Sequence, residues 1–123
     1  MLINLSNHPV VDWEASQIKS AELSFGSIVD LSFPAIPPEA DSDIILKLAE
    51  TYLKKCLHLL NNNRDEVNAV HIMGEMTFSF AIVNKLIKEN IICLASTTER
   101  NTSLVDDKKI SKFKFVRFRK YSF

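Results

Sequence analysis

The sequence predicts an α/β fold in which one mostly parallel sheet of five strands carries helices on both faces. Apolar runs alternate with amphipathic segments three times along the chain, an order typical of parallel sheets. The apolar runs are short and hydrophobic throughout, as in strands buried on both faces. The length of 123 residues, 46% of them hydrophobic, suits one domain, so residues 1–123 are predicted to form a single domain.

In the first half of the chain, the sequence predicts two strands and two helices. A strand at residues 2–5 leads through a polar loop to a helix at residues 12–24, for which Asp12 is the expected cap. A second strand follows at residues 27–31. After a loop with three prolines, apolar residues at intervals of three and four predict the strongest helix, at residues 41–60.

The second half of the chain predicts three more strands and one more helix. The fourth and fifth strands are joined by polar residues without a helix, so the fifth strand is expected to be an antiparallel edge. The strand order is then 2-1-3-4-5, as in flavodoxin-like or Rossmann-like sheets. The predicted strands lie at residues 69–73, 91–95 and 113–118, the helix at residues 76–89, and polar loops at residues 96–100 and 101–109.

The charge of the chain is zero overall but unevenly distributed. Residues 1–107 carry all fifteen acidic residues and a net charge of −7, whereas residues 108–123 carry seven basic residues and no acid. This distribution excludes a uniformly basic nucleic-acid binder, and duplex DNA is not an expected partner. Basic and aromatic residues alternate within residues 112–121, which suits base stacking but is better explained by an edge strand that lysines protect. The alternation slips at Val116, which predicts a bulge or a change of face there.

The sequence predicts a cytoplasmic protein. No apolar stretch approaches the roughly 20 residues of a membrane span. The first residues lack the basic flank and the apolar segment of a signal peptide. Cys56 and Cys93 are too few for a disulfide framework, and both lie in apolar runs where buried, reduced thiols are expected.

A ligand site is expected where the strand order reverses, between the carboxyl ends of the first and third strands. The three loops near this point are rich in small hydrogen-bonding side chains. Gly74 permits close backbone approach, the N–H groups of the following helix suit phosphate oxygens, and Arg100 supplies a bidentate cation. The predicted ligand-binding residues are Ser6, Asn7, His8, Gly74, Glu75, Met76, Thr77, Ser96, Thr97, Thr98 and Arg100.

Plain structural alternatives stand beside this interpretation, since many of these residues also form ordinary turns and caps. Glu75 would repel a phosphate; it can instead cap its own helix, accept from a ribose hydroxyl or pair with Arg100. His8 can accept a proton from a ligand or cap the next helix. His71 lies inside an apolar strand and is predicted to be a satisfied core histidine. A metal site built from His8, His71, Glu75 and Glu99 lacks dense ligand spacing, so neither a metal nor a cofactor is predicted.

Other common site patterns are missing from the chain. It has no Gly-x-Gly-x-x-Gly and no Walker sequence, the usual signals of a dinucleotide or nucleoside triphosphate site. The serines at positions 6, 79 and 96 form no convincing Ser/His/Asp order, which argues against a serine hydrolase. A small flavin carrier is a further alternative, and a colourless purified protein would count against it.

Segments 2–9, 71–78 and 95–100, together with the closing Phe-Val-Arg-Phe-Arg, carry a resemblance over nearly the whole chain. The chain resembles small stand-alone CRISPR-associated proteins of type III systems, related to the CRISPR-associated Rossmann-fold (CARF) sensors and ring nucleases. The resemblance implies a CARF-like domain that binds cyclic oligoadenylate, most simply the four-membered ring. It also implies that the ring lies on the two-fold axis of a homodimer, facing the strand-end loops of both subunits.

The resemblance is compatible with two activities. Binding alone would lower or sense the messenger. A ring nuclease would cleave it without metal, by attack of a ribose 2′-hydroxyl on the adjacent phosphate, with His8 as the proton acceptor and Arg100 or the N–H groups near Gly74 as charge stabilisers. The loops offer few cations, which favours binding. In a third alternative, the basic C-terminal strand contacts another protein or RNA, and the chain is an interaction module.

Overall fold

The computed structural model describes residues 1–62 and 67–122, which form one five-stranded α/β sheet with three α-helices. The strand order is 2-1-3-4-5; the first four strands are parallel and the fifth is antiparallel to the fourth, as predicted. None of the helices in the described part of the chain is long and apolar enough to cross a membrane. The elements are β1 (Leu2–Ser6), α1 (Ala15–Phe25), β2 (Ile28–Asp30), α2 (Ser42–Asn61), β3 (Ala69–Met73), α3 (Met76–Lys88), β4 (Ile92–Val105) and β5 (Lys108–Lys120).

The last two strands are much longer than the sequence predicts, because they continue beyond the sheet as a two-stranded ribbon. The predicted loops at residues 96–100 and 101–109 are wrong: the first lies within β4, and the second forms the ends of both strands with a turn at Asp106 and Asp107. Both aspartates have positive φ, 52° and 61°, which short polar residues tolerate in tight hairpin turns. The ribbon is mostly exposed, so it lacks the apolar run used to recognise a buried strand.

The start of α1 also differs from the prediction. Asp12 ends a short 3₁₀ turn (Val10–Asp12) and does not cap the helix. Glu14 occupies the N-cap position, but its carboxylate accepts from the backbone N–H of Phe115 on β5, at 3.3 Å for each oxygen. That N–H faces the helix at the bulge in β5. The predicted bulge is confirmed, because Thr98 pairs with Phe115 and Thr97 with Arg117, so Val116 is the extra residue.

The sheet separates two apolar clusters of different size. The larger lies against α2 and α3 and holds fifteen buried residues, including Ile3, Leu5 and Phe78. The smaller lies against α1 and holds five: Leu2, Trp13, Ala21, Ala69 and Leu94. Helices therefore cover both faces, as predicted.

Cys56 and Cys93 lie in the larger cluster as free thiols, in agreement with the sequence analysis. Burial raises the pKa of both thiols to about 12. The thiolate form is therefore suppressed near neutral pH, and neither cysteine is suited to nucleophilic chemistry.

Candidate functional site

A buried polar network begins at Asn4, in the middle of β1 and 1% exposed. Its side chain lies on the α1 side of the strand, where Leu2 joins the smaller apolar cluster. The amide Nδ2 donates to the backbone carbonyl of His8 and to Oδ1 of Asp30, both at 2.8 Å. The amide Oδ1 accepts from the Ser6 hydroxyl at 2.8 Å. One side chain thereby ties the loop after β1 to the end of β2.

The network fixes the tautomer of His71, which is 2% exposed on β3. Because both amide hydrogens of Asn4 have acceptors, its Oδ1 is the atom that faces His71 Nδ1, at 2.9 Å. Nδ1 must therefore carry the proton, and in the neutral ring Nε2 is an acceptor. Nε2 lies 3.2 Å from the hydroxyl of Ser96. The prediction of a satisfied core histidine is confirmed.

The environment of His71 keeps its ring neutral. Burial, and after it the charge of nearby His8, lower the pKa of His71 from 6.5 to about 4. Trp13 and Phe118 pack edge-on against the imidazole, with ring centroids 5.2 and 5.7 Å away. Near neutral pH the ring is therefore a proton acceptor held in one orientation.

His8 serves the network through its backbone rather than its side chain. Its carbonyl oxygen accepts from Asn4 Nδ2, from the Ser6 hydroxyl at 3.1 Å and from Trp13 Nε1 at 3.0 Å. The imidazole is exposed and lines a cavity beside the network. Hydrogen bonds therefore hold the backbone of His8, the residue predicted to be the proton acceptor, while its imidazole is exposed.

The cavity has a volume of about 430 Å³ and lies between the start of α1 and the β4–β5 hairpin. Such a volume lies within the usual range for small-molecule sites. Its lining includes the aromatic side chains of Trp13, Phe113 and Phe115 together with His71 and Ser96, and no Lys or Arg of the described chain lines it. The lining residues are His8, Asp12, Trp13, Glu14, Gln17, His71, Met73, Ser96, Thr98, Phe113 and Phe115.

The structure brings only three of the predicted site residues, His8, Ser96 and Thr98, to this cavity. Ser6 and Asn7 border a shallow groove toward β2. Two other cavities lie near the start of α3. Gly74 and Met76 line one of about 310 Å³. Met76 and Thr77 line the other, which lies between α2 and α3.

The N-terminus of α3 is already occupied by a carboxylate. Glu75 accepts from the backbone N–H groups of Thr77 and Phe78, at 3.0 and 2.8 Å, and from the Thr77 hydroxyl at 2.7 Å. The Thr77 hydroxyl, followed by these two N–H groups, lowers the pKa of Glu75. The alternative that Glu75 caps its own helix is confirmed, and a phosphate could reach these N–H groups only by displacing the carboxylate.

Gly74 has a packing role in the structure. A Cβ added at this position would lie 2.3 Å from Cζ of Phe33, whose ring meets the buried Phe78 edge-on. The missing side chain therefore makes room for Phe33 in the larger apolar cluster.

Thr97 and Arg100 make contacts along the ribbon rather than in a loop. Thr97 donates through its hydroxyl to the carbonyl of Arg117 at 3.1 Å. Arg100 donates from Nε and Nη2 to the Ser111 hydroxyl, at 3.2 and 3.1 Å, and its guanidinium lies over the Phe113 ring. The β3–β4 pairing ends at Leu94, so at about 3.3 Å per residue Arg100 lies about 20 Å farther along the strand.

The sequence analysis missed several residues of this site. Asn4 was read as part of an apolar strand, and Trp13 and Glu14 as parts of a helix. One available signal was the pair Asn4 and Ser6, two polar residues with strand spacing, because they must share one face of β1. No group of three or more His, Cys, Asp or Glu within the described residues is placed to hold a metal ion.

Comparison with known proteins gives the family of this chain. Residues 1–119 match the model of the family described as "Uncharacterized protein MJ1673 family". The chain belongs to the MJ1673 family. A relative from Methanocaldococcus jannaschii, described as "Uncharacterized protein MJ1673", is 36% identical over 91 residues. These residues cover 71% of this chain and 66% of the relative. The match therefore spans slightly less than two thirds of the length of the relative. No solved structure matches the chain.

Proposed function

We propose that the cavity takes one adenine base of a cyclic oligoadenylate, most simply the four-membered ring, and that the chain binds or senses this messenger as a homodimer. The composition of the cavity carries the proposal. The rings of Trp13, Phe113 and Phe115 offer surfaces for a planar base. The carboxylates of Asp12 and Glu14 are acceptors for the exocyclic amine of adenine. An uncharged base needs no cation inside the cavity.

The phosphates of the ring would remain outside the cavity, at its rim. His8 and Thr98 lie there and can donate to phosphate or ribose oxygens. A ring of four identical nucleotides has a two-fold axis, and so does an isologous dimer. The two copies of the cavity in a dimer can therefore take two bases of one ring.

Binding without rapid turnover is the activity that these residues support best. Arg100, the cation predicted to stabilise charge, lies on the ribbon, and Glu75 engages the N–H groups of α3. Metal-independent cleavage of the ring is the second candidate, because the exposed imidazole of His8 is held at the cavity rim and can accept a 2′-hydroxyl proton. The free, buried thiols of Cys56 and Cys93 support a cytoplasmic location.

The test is incubation of the pure protein with cyclic tetra-adenylate in EDTA, followed by column separation and analysis of the nucleotide after denaturation. We expect intact nucleotide in the protein fraction. His8→Ala should weaken retention, whereas His58→Ala, on the exposed side of α2, should not. Linear products would establish the ring nuclease instead. Free, intact nucleotide would overturn both candidates.

The interaction-module candidate is supported by a different surface, the basic outer strand. Lys112, Lys114, Arg117 and Arg119 are exposed on β5, at the edge of the sheet. Reversing these four charges should leave messenger retention unchanged if the cavity is the functional site. If the variant retains the messenger but loses an acidic protein or RNA partner, the basic strand carries a separate function.

A further inference from the structure

We propose that Ser96 is a reactive nucleophile, with His71 as its general base and Asn4 as the positioning residue, and that it attacks small uncharged carboxylic esters in the cavity. Ser96 Oγ lies 3.2 Å from His71 Nε2, and His71 Nδ1 lies 2.9 Å from Asn4 Oδ1. The sequence argued against a serine hydrolase because no triad order is visible along the chain. In space, however, nucleophile, base and orienting group follow one another as in hydrolytic triads, with an amide oxygen in the third place. This inference is independent of messenger binding.

The direction of the protons follows from hydrogen bonds outside the triad. The carbonyl of His8 and the carboxylate of Asp30 hold the amide NH₂ of Asn4, so the amide oxygen faces the ring and Nδ1 is protonated. Nε2 then offers its lone pair to the Ser96 hydroxyl. The other acceptor near that hydroxyl is the Met73 sulfur at 3.0 Å, and a thioether is a weak acceptor.

A donor for the developing oxyanion lies next to the nucleophile. The backbone N–H of Ser96 donates to the same Met73 sulfur at 3.3 Å. An oxyanion is a far stronger acceptor than a thioether, so a tetrahedral intermediate formed on Ser96 would replace the sulfur as the acceptor of this N–H. The backbone N–H of the nucleophilic serine has this role in serine proteases.

The cavity selects the class of substrate. Trp13 and Phe113 provide apolar surface, while Asp12 and Glu14 would repel a substrate that carries an anionic group, such as a phosphate monoester, into the cavity itself. No Lys or Arg of the described chain lines the cavity to offset this repulsion. A short ester without charge meets these conditions.

The reaction consumes only the ester and water. Ser96 Oγ forms a bond to the carbonyl carbon while its proton passes to His71 Nε2. The bond to the leaving oxygen breaks, and the alcohol departs with that proton. Water, deprotonated by His71, then splits the acyl–serine bond, which releases the carboxylic acid and restores the Ser96 hydroxyl.

The experiment is acylation by p-nitrophenyl acetate, followed as a burst of nitrophenolate, with the modified residue located by peptide mass analysis. We expect one acetyl group, on Ser96, and no burst with Ser96→Ala. Ser79→Ala is the matched control, because the buried Ser79 hydroxyl makes no hydrogen bond within the described part of the chain. His71→Gln should slow acylation by about 10²–10⁴-fold, the usual contribution of a general base.

One further measurement keeps the result interpretable. If His71→Gln does not fold, the pH profile of the wild-type burst replaces it. If His71 stays neutral, the rate of the burst should be flat between about pH 6 and about pH 8. An ordinary histidine would instead lower the rate near pH 6.5. The other titratable groups around the network are His8, Asp12, Glu14 and Asp30. Acetylation only of lysines or the N-terminus, or a burst that survives in Ser96→Ala, would overturn the proposal.

The two proposals can fail separately. Cyclic tetra-adenylate should protect Ser96 from acetylation if a base enters the cavity. Acetylation of Ser96 without protection would leave the nucleophile standing and remove the messenger from this cavity. Retention of the messenger without acetylation of Ser96 would support messenger binding and overturn the proposal that Ser96 is a nucleophile.

Discussion

The two faces of the sheet differ in what they bury: one face buries a large apolar cluster, and the other buries a network of polar side chains beside a small apolar cluster. The apolar cluster on the α2/α3 face holds fifteen buried residues, Phe78 among them. On the α1 face the apolar cluster holds five buried residues among those that the structure describes, and beside them lie Asn4, Ser6 and His71 with a continuous set of hydrogen bonds. The first face supplies stability through burial, and the second holds polar groups in fixed orientations next to a cavity.

A single strand supplies both faces, because successive side chains of a strand point to opposite sides. Ile3 and Leu5 of β1 join the larger cluster, whereas Leu2, Asn4 and Ser6 face α1. Substitutions on the two faces should therefore have different effects. On the α2/α3 face they remove buried volume. On the α1 face they disturb the orientation or the protonation state of the polar side chains.

The largest loss of stability is expected from Phe78→Ala. The Phe78 ring is fully buried between Phe33 and Tyr52, so its removal should lower the free energy of unfolding by about 3–5 kcal/mol. Urea titration measures the effect. Phe80→Ala, on the same helix but 74% exposed, should change stability by less than about 0.5 kcal/mol. Equal losses for the two variants would contradict the assignment of the core to this face.

The α1 face should show its character in acid. His71 has a lowered pKa in the folded state, about 4 against 6.5, so between these values the unfolded chain binds more protons. Stability should therefore rise with pH across this window, and as pH falls through it the protein should lose up to roughly 3 kcal/mol.

Urea titrations of wild type and His71→Gln at several pH values measure this contribution. Carboxylates titrate in both proteins, so the difference between the two curves isolates His71. Parallel curves would show that His71 is not held neutral by its surroundings.

Gly74→Ala should have an intermediate effect. The added Cβ meets the Phe33 ring at 2.3 Å, so either the ring or the backbone must shift, at a cost of about 1–3 kcal/mol. In a Phe33→Ala background the same substitution should cost much less, because the obstructing ring is absent. A double-mutant cycle by urea titration measures this coupling, and additive losses would place the role of Gly74 elsewhere.

The smallest effect is expected from Glu14→Ala, which removes the contact between α1 and the bulge on β5. The Glu14 carboxylate is exposed and accepts from Phe115 N at 3.3 Å, so stability should fall by only about 0.5–1 kcal/mol. Hydrogen exchange of the Phe115 amide should accelerate more than that of Leu94, within the sheet. An unchanged Phe115 rate would show that the carboxylate does not hold the hairpin.

The fold was largely predictable because its signals are local. Apolar runs and helical periodicity locate the elements, and the strand–helix alternation implies the parallel order with an antiparallel edge. The ribbon was missed because its strands are solvated on both sides and pair mainly with each other. Glu14 was missed as a contact of β5 because its partner lies 101 residues away in the chain.

The candidate site was predictable only in part. The switch-point rule points to the carboxyl ends of β1 and β3, and His8, Ser96 and Thr98 line a cavity near that edge of the sheet. Spacing cannot show that Glu75 closes the N-terminus of α3 or that Gly74 faces Phe33, since each fact depends on a rotamer or on a distant ring.

The elements, their order and the burial of both cysteines can be predicted from the amino-acid sequence, because periodicity and hydrophobicity act over a few neighbouring residues. Which polar groups meet depends instead on how the strands pair. Asn4, His71 and Ser96 come from three different strands, and only parallel pairing in one register brings their side chains within hydrogen-bonding distance. The protonation state of His71 follows from that meeting, because burial and a fixed amide act on the ring only once the strands are in place.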